Sequence, residues 1–591
     1  MRSATSNPLH RQTNTHMTHT RTLVISAITL LPLLAGGCMT NPFGDDPLDK
    51  HTVATTQRLR SINSLVLEQR DYQEEVQPSK EQTLQDARDR FAGVERIELS
   101  LSDARIAALA NNLNLGATLI APTIAAEQVS EEEGRFEAIF TLSGTVRDND
   151  DAVASALDSS KSTVRSITPG IRVPLRTGGE LNVTLPISRF ETDNSFSLLN
   201  PSYTSDLNFS LSQNLLRGAG RRATTHSIRI AEYNRQISEA QTKLEVTRTL
   251  AEVDRAYWRL YATIRALEVV EQQYNVAQAQ LERAQRKERA GTGTEVDIVR
   301  AQSGVADRVE QIIRAQNDVS LQERALKVLL NIPGLNADTP THIEPASPPD
   351  PVEYAFDAQN LTDAALDNRM ELLELELNLA RDAANIAFAE NQALPLVALQ
   401  YTYGVNGLGG TLDNSIDTLG RNNFESWSIG LNAEIPLGNE QRKSSLAQSI
   451  LARLQTLATR EAREQAITRE VYDAIDQLNS TWNRIIAAQQ AVELNARVLE
   501  AEQRQFDVGR STTTDVLDAD ANLANARLSE IQAIVEYQVA QIDLAFATGT
   551  LLGQTKVDWA PSDPRLEEHG EARALEGVTP YKPGSGIIVK P

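Results

Sequence analysis

The strongest constraint on this chain is a long helical pattern that folds back on itself at a glycine, and occurs twice. Residues 508–520 read VGRSTTTDVLDAD, and residues 290–302 read AGTGTEVDIVRAQ. Aligned without gaps, Gly291 meets Gly509, Thr294 meets Thr512, Asp297 meets Asp515, Ile298 meets Val516 and Ala301 meets Ala519. Each stretch is a glycine turn, then Thr-x-x-Asp, then a fresh helical pattern. An internal repeat of this kind takes precedence over every other reading of a sequence. Before the first turn, Leu250, Val253, Tyr257, Leu260, Ile264, Leu267, Tyr274 and Leu281 recur at spacings of three, four and seven. After it, Ile298, Val305, Val309, Ile312, Val319, Leu326 and Leu330 form a returning seam. The second half repeats the design, with Val471, Ile475, Leu478, Trp482, Ile485, Val492 and Leu499 going out, and Leu517, Ala521, Ala524, Leu528, Ile531, Val535, Ile542 and Ala545 coming back. Such seams belong to coiled coils rather than to globular amphipathic helices. A helix over 218–290 would reach about 100 Å.

Helices of that length bury little, and the composition agrees. Aromatic residues make up only 5% of the chain, as in long exposed helices. A net charge of −22 leaves no basic stripe for nucleic acid. Cys38 is the single cysteine, and the seven histidines fall in no metal-ligand spacing, so neither a metal nor a cofactor is expected. The run Gly218-Ala219-Gly220-Arg221-Arg222-Ala223 formally fits a dinucleotide fingerprint, but no second strand follows to complete a βαβ unit. With no nucleophile, metal set or phosphate loop, the chain does not read as an enzyme.

The N-terminus reads as a secretory signal, 1–37. A short apolar run, 22–37, follows Arg21 and ends in Leu34-Ala35-Gly36-Gly37-Cys38. Small residues before the cysteine resemble a lipobox, in which Cys38 would be acylated and anchor the mature chain. The competing reading is a plain signal with a chance cysteine. Translation starts at Met1 or Met17. Beyond the signal no stretch is apolar and long enough for a transmembrane helix.

Between signal and seams the period changes. An acidic extension, 38–98, precedes a helical pattern over 99–133, with Ser102-Asp103 as its N-cap and a kink or break at Pro122. From Arg135 the period is two. Phe136, Ala138, Phe140 and Leu142 open a strand, a polar loop occupies 148–166, and strands at 171–175 and 181–187 flank the turn Arg176-Thr177-Gly178-Gly179. Leu207, Phe209 and Leu211 alternate with polar residues before the long helix. In the second half a helix over 361–390 leads to Val397, Leu399, Tyr401, Tyr403 and Val405. A Gly/Asn loop at 406–423 separates these from Trp427, Ile429, Leu431, Ala433 and Ile435. Strands with one apolar and one polar face pack into a soluble sandwich or form a membrane barrel with the polar face toward water. One chain supplies too few strands for a porin-sized barrel, so closure would need an oligomer.

This arrangement resembles the TolC-like outer-membrane efflux protein family. The resemblance rests on Phe506-Asp507-Val508-Gly509 with Thr514-Asp515-Val516-Leu517-Asp518-Ala519, on the sister Ala290-Gly291 with Val296-Asp297-Ile298-Val299-Arg300-Ala301, and on 210–218 and 99–112. It covers 99–552, in duplicate. It implies an α+β membrane protein of tandem helix-strand-strand-long helix-helix repeats. In that fold a homotrimer builds one outer-membrane β-barrel, continuous with a periplasmic α-helical coiled-coil tunnel. The tunnel's tip meets a periplasmic adaptor protein and an inner-membrane pump. The implied function is a passive exit duct for tripartite efflux or type I secretion. The expected organisation is signal peptide 1–37, periplasmic extension 38–98, first repeat 99–332, linker 333–358, second repeat 359–552 and tail 553–591. By the resemblance, Asp515 and Asp518 match carboxylates at the narrow entrance, Asp297 matches an aspartate that holds the tip shut, and Gly291 and Gly509 make the tip turns. Ser511 stands where the family carries arginine, with Arg510 one place early, and Asn214 replaces a proline. Asp297 and Asp515 equally suit a capping role at the start of the returning helices. The strand pair over 171–187 exceeds the family's two strands per repeat, and reads either as an extracellular hairpin or as extra barrel strands. The alternative to a duct is a lipid-anchored periplasmic coiled-coil scaffold without a pore.

Overall fold

The computed structural model describes residues 95–154, 159–559 and 587–589. The signal 1–37, Cys38, most of the extension 38–98 and most of the tail lie outside them.

A short strand β1 (Arg96–Leu99) opens the described chain, followed by three helices, α1 (Leu101–Asn111), α2 (Leu113–Leu119) and α3 (Ala121–Gly134). The single helix expected over 99–133 is therefore broken, and its cap is Ser100, not Ser102, with Ser100 Oγ accepting from the Asp103 N–H. Asn112 causes the first break. Its side chain accepts from the Leu115 N–H and donates to the Leu329 carbonyl, so it ends one helix and caps the next. Pro122 sits in the first turn of α3, where its missing N–H costs nothing.

Four strand segments follow: β2 (Ile139–Asp150), β3 (Lys161–Pro174), β4 (Gly179–Thr184) and β5 (Ile187–Thr192), then β6 (Ser202–Asn214). The loop expected over 148–166 shrinks from both sides, because β2 runs to Asp150 and β3 begins at Lys161. Asp148, Asn149 and Asp150 are polar yet paired, with Thr163, Ser162 and Lys161. Asp148 accepts from Thr163 Oγ1 across the ladder, at 2.8 Å.

The first long helix does not begin at Gly218. A one-turn α4 (Arg221–Thr224) comes first, then α5 (His226–Arg289). Gly218 and Gly220 both have positive φ, 71° and 84°, and turn the chain from sheet to helix. At 64 residues α5 is about 96 Å long. It returns as α6 (Glu295–Leu330). The linker holds an unexpected strand, β7 (His342–Pro345), parallel to β1.

The second half starts with α7 (Ala358–Asn368) and α8 (Met370–Gln392), not one helix over 361–390. They part at Arg369, a buried arginine that bonds Glu371 and the Ala547 carbonyl. Then come β8 (Leu396–Gly409), α9 (Leu412–Gly420) and β9 (Glu425–Glu434). The supposed loop 406–423 thus contains the end of a strand and a helix. Gly407 makes room for α9, since a Cβ there would collide with the Ser415 carbonyl. The chain closes with α10 (Glu440–Asp507), α11 (Thr513–Ala547), α12 (Leu551–Gln554) and the strands β10 (Val557–Trp559) and β11 (Ile587–Val589).

The seams read from sequence form the core. Val246, Leu250, Val253, Tyr257 and Leu260 of α5 meet Val309, Ile312, Val319 and Leu326 of α6. Val471, Ile475, Leu478 and Ile485 of α10 meet Tyr537, Ala540 and Leu544 of α11. Helix α5 also packs on α11, α8 and α3, so the two hairpins lie side by side. No described helix is long and apolar enough to cross a membrane.

The strands form one sheet in the order β2-β3-β4-β6-β8-β9, with β5 continuing β4 between β3 and β6. Cross-strand partners keep the two faces of this sheet distinct. Leu181 pairs Leu211, which pairs Tyr401, which pairs Ile429. Next to them Asn182 pairs Ser210, which pairs Thr402, which pairs Ser428. The first row is apolar, the second polar, as period two requires.

Candidate functional site

The two helix turns lie where the repeat predicted them, and their glycines are needed for conformation. Gly291 and Gly509 have φ of 74° and 80°, with nothing within 4 Å of a would-be Cβ. Each ends its helix in the left-handed region. Thr292 N–H reaches back to the Lys287 carbonyl at 2.9 Å, and Arg510 N–H to the Gln505 carbonyl at 2.8 Å. The returning helices start with matched capping boxes. Thr294 accepts from the Asp297 N–H while Asp297 accepts from the Thr294 N–H, and Thr512 with Asp515 does the same.

These bonds decide the carboxylates' chemistry. Asp297 is held below the usual range chiefly by the Thr294 hydroxyl. Asp515 is lowered chiefly by the Thr512 hydroxyl, with its backbone N–H and Ser511 adding to this. Within one chain both are therefore ionised capping groups. Asp515 and Asp518 are both exposed on α11, three residues apart on one face. Ser511 donates to Glu502 at 2.7 Å and to Asp515 at 3.3 Å. It braces its own turn and makes no link to Asp297.

The link between the turns comes from a residue that sequence reasoning did not single out. Lys287, in the last turn of α5, donates from Nζ to the Phe506 carbonyl at 2.5 Å. The same ammonium lies 3.4 Å from the Phe506 ring centre. Phe506 ends α10 inside an apolar cluster with Leu499, Val516, Ala519 and Leu523. A cation here meets both an aromatic face and the negative end of a helix. Its sequence signal was only a basic residue in a last turn, which is common.

One turn beyond Asp515, Asp520 is buried with one carboxylate oxygen unpartnered. Burial pushes its pKa up to about 6, against the pull of Arg308 and Arg527. A carboxyl whose pKa rises on folding costs stability only when ionised. The cost is absent below about pH 4 and complete above about pH 6. Asp520→Asn is therefore expected to stabilise the fold at pH 7.5 by ~1–2 kcal/mol, after allowing for solvent screening. The gain should vanish toward pH 4 in guanidinium midpoints measured across pH. An equal gain at both pH values would show that ionisation is not its cause. Among the described residues no cluster of three or more His, Cys, Asp or Glu is placed to hold a metal.

The geometry has known counterparts. Residues 180–331 and 361–550 match the family model described as outer membrane efflux protein. The outer membrane protein TolC of Vibrio cholerae is 26% identical over 345 residues, covering 57% of this chain and 76% of that protein. The outer membrane efflux protein BepC of Brucella suis is 25% identical, covering 55% and 68%. Among solved structures, CusC superposes with a TM-score of 0.58 at 16% identity, over 77% of this chain and 93% of CusC. Its mixed architecture of strands and very long helices is therefore that of known outer-membrane channels. The matched segments take in both hairpins, both turns and strands β4, β5, β6, β8 and β9, and on them the chain belongs to the outer membrane efflux protein family.

Proposed function

We propose that this chain is the outer-membrane exit duct of a tripartite efflux or type I secretion system. It acts as a homotrimer, without catalysis, and is gated at its periplasmic helix turns. The observation that carries this reading is the sheet. Its apolar face is exposed at Phe140, Leu142, Trp427, Ile429 and Leu431, and both edge strands, β2 and β9, are exposed along nearly their whole length. A scaffold in water would not keep an open sheet with such a face. In a bilayer the face meets lipid and the polar rows line water. The stripe Ile450, Leu451, Leu454 and Leu457 on α10 is likewise exposed in the single chain, as a surface buried between copies would be.

In this reading the helices form the periplasmic tunnel, and the turns at Gly291 and Gly509 form its tip and meet the adaptor protein that joins the duct to an inner-membrane pump. Asp515 and Asp518 ring the entrance, Asp297 braces the first turn, and acylated Cys38 ties the mature N-terminus to the membrane. The test is conductance of the purified protein in a planar bilayer. Trimer-sized pores support the duct, and a monomer without conductance overturns it. If the acidic rings bind cations, Asp518→Asn should weaken block of single-channel current by divalent cations several-fold. Unchanged block would remove Asp518 from the entrance.

A further inference from the structure

The strands over 161–192 are not a decoration above the sheet. β3 and β4 join at Leu175–Gly178, beside the start of the long helix. Thr177 Oγ1 donates to Gln213 Oε1 at 2.9 Å, and the Thr177 carbonyl accepts from the Gly220 N–H at 2.9 Å. A Cβ on Gly178 would collide with the Gly218 carbonyl, so the turn is seated in the sheet-to-helix junction. From there β3 and β4–β5 run the full height of the sheet between β2 and β6. β4 and β5 are one strand interrupted at Leu185-Pro186. Proline cannot donate to the ladder, but the Pro186 carbonyl still accepts from the Asp206 N–H at 3.0 Å, and the Leu185 N–H donates to the Pro169 carbonyl at 2.9 Å. Counting them as one, the sheet has six strand positions, all antiparallel to their neighbours.

We propose that β2 of one copy pairs with β9 of the next, so that three copies close a single barrel of eighteen strands. That is half as many again as a chain with two strands per repeat would supply. The proposal rests on the duct reading and specifies its pore. Three features of the sheet support it.

The first is direction. With an even number of positions, β2 and β9 run oppositely, so an identical copy added at either edge continues the antiparallel order. Closed membrane barrels need this.

The second is stagger. Following partners across the sheet, Ile139 of β2 is level with Arg172, Asn182, Ser210, Thr402 and Ser428. Yet β9 continues from Ser428 to Glu434, six residues lower. The lower ends step down along the way, at Ile139, Pro174, Gly179, Asn214, Leu396 and Glu434. A closed barrel requires such a shear, because tilted strands return to their start only after a fixed register slip. Setting Ile139 of the next copy level with Glu434 gives a slip of six residues per copy.

The third is the match of faces. In that register Leu142 of the next copy meets Leu431, and Val146 meets Trp427, on the apolar side. Thr141 meets Asn432, and Thr145 meets Ser428, on the polar side. The edges are 12 and 10 residues long, so the seam has nearly the length of the ladders inside the chain. Barrel diameter grows roughly linearly with strand number. The outer-membrane pore is therefore about half as wide again as one built from four strands per copy.

The test uses the full-length chain in membranes. Thr145→Cys with Ser428→Cys places two thiols across the seam, within disulfide reach for facing strand residues. Mild oxidation should give covalent dimers and trimers on denaturing gels. Each single variant, the natural chain with Cys38 alone, and Thr145→Cys with Ile429→Cys on the opposite face should not. Particle images of the natural protein should show eighteen strands. A conducting trimer of twelve strands, with the 161–192 hairpin outside the barrel, overturns this inference and leaves the duct intact. A protein that neither oligomerises nor conducts overturns the duct reading, and the seam with it.

Discussion

Replacing Arg105 by alanine is expected to lower the stability of the fold by about 3–5 kcal/mol, the range for breaking a buried ion pair from one side. Arg105 on α1 donates from Nε and Nη2 to the two oxygens of Asp254 on α5, at 2.8 and 2.7 Å. Asp254 is fully buried. Burial already raises its pKa, with Arg105 pulling the other way. Without the guanidinium, a carboxylate is left in the core with no cation bonded to it. It can escape the cost only by taking up a proton. The sign follows. The folded-state pKa lies above the unfolded one, so the cost is absent below the unfolded carboxyl range and complete above the folded value. The variant should therefore be most deficient at neutral pH and recover in acid. Guanidinium midpoints at pH 7.5 and pH 5 would show this. Arg105→Met combined with Asp254→Leu should recover most of the loss, because apolar groups of similar volume can replace a buried pair. A double variant as unstable as Arg105→Ala would mean that packing, and not the orphaned charge, sets the cost.

If the proposed duct is gated at its tip, Lys287→Met is expected to shift it toward the open form by up to tens-fold. Methionine keeps the stem and removes the ammonium. What is lost is a charge-assisted hydrogen bond to the Phe506 carbonyl and the contact with the Phe506 ring. Together these are of order 2 kcal/mol at a half-exposed site, or about thirty-fold in an equilibrium. Only the part of this energy that differs between closed and open tips moves the gate. Single-channel recordings should show raised open probability, with the conductance of the fully open state unchanged. Lys287→Arg, which retains a cation, should restore part of the effect. If Lys287→Met opens no more often than the natural protein, Lys287 does not hold the turns together.

The two hairpins illustrate what could be read from residue order alone. Heptad spacing over 250–281 and 471–499 gave the helices, because an α-helix returns a side chain to the same face every three or four residues. The glycine turns and Thr-x-x-Asp caps were equally visible, since capping is local and involves residues three apart. The strands from Leu207 to Leu211 and from Trp427 to Ile435 were visible for the same reason, with a period of two. Elsewhere the local signal misled. Strand residues from Asp148 to Asp150 and from Lys161 to Ser166 are, apart from Val164, polar on both sides and read as loop. Their extended form depends on pairing across β2 and β3. The breaks at Asn112 and Arg369 were also missed. Each depends on a partner far along the chain, Leu329 for Asn112 and Ala547 for Arg369.

The candidate site divides in the same way. The turn glycines Gly291 and Gly509 and the capping roles of Asp297 and Asp515 were legible because they are set by immediate neighbours. Lys287 and Arg105 were not. Their partners lie 219 and 149 residues away, and nothing in the spacing of a lone Lys or Arg points that far. The same limit applied to the strands over 161–192. Sequence showed an extra hairpin. Only the ladder from Ile139 through Arg172 and Asn182 to Ser428 placed it inside the sheet.

By itself the sequence determined the periodic elements, their turns and their duplication, since these follow from dihedral preference, capping and the alternation of apolar side chains over a few residues. The tertiary structure decided which hairpin lies against which, which charge is buried with which, and how many strands one chain places side by side. Those outcomes depend on contacts between residues hundreds of positions apart, whose free energy appears only once the chain has brought them together.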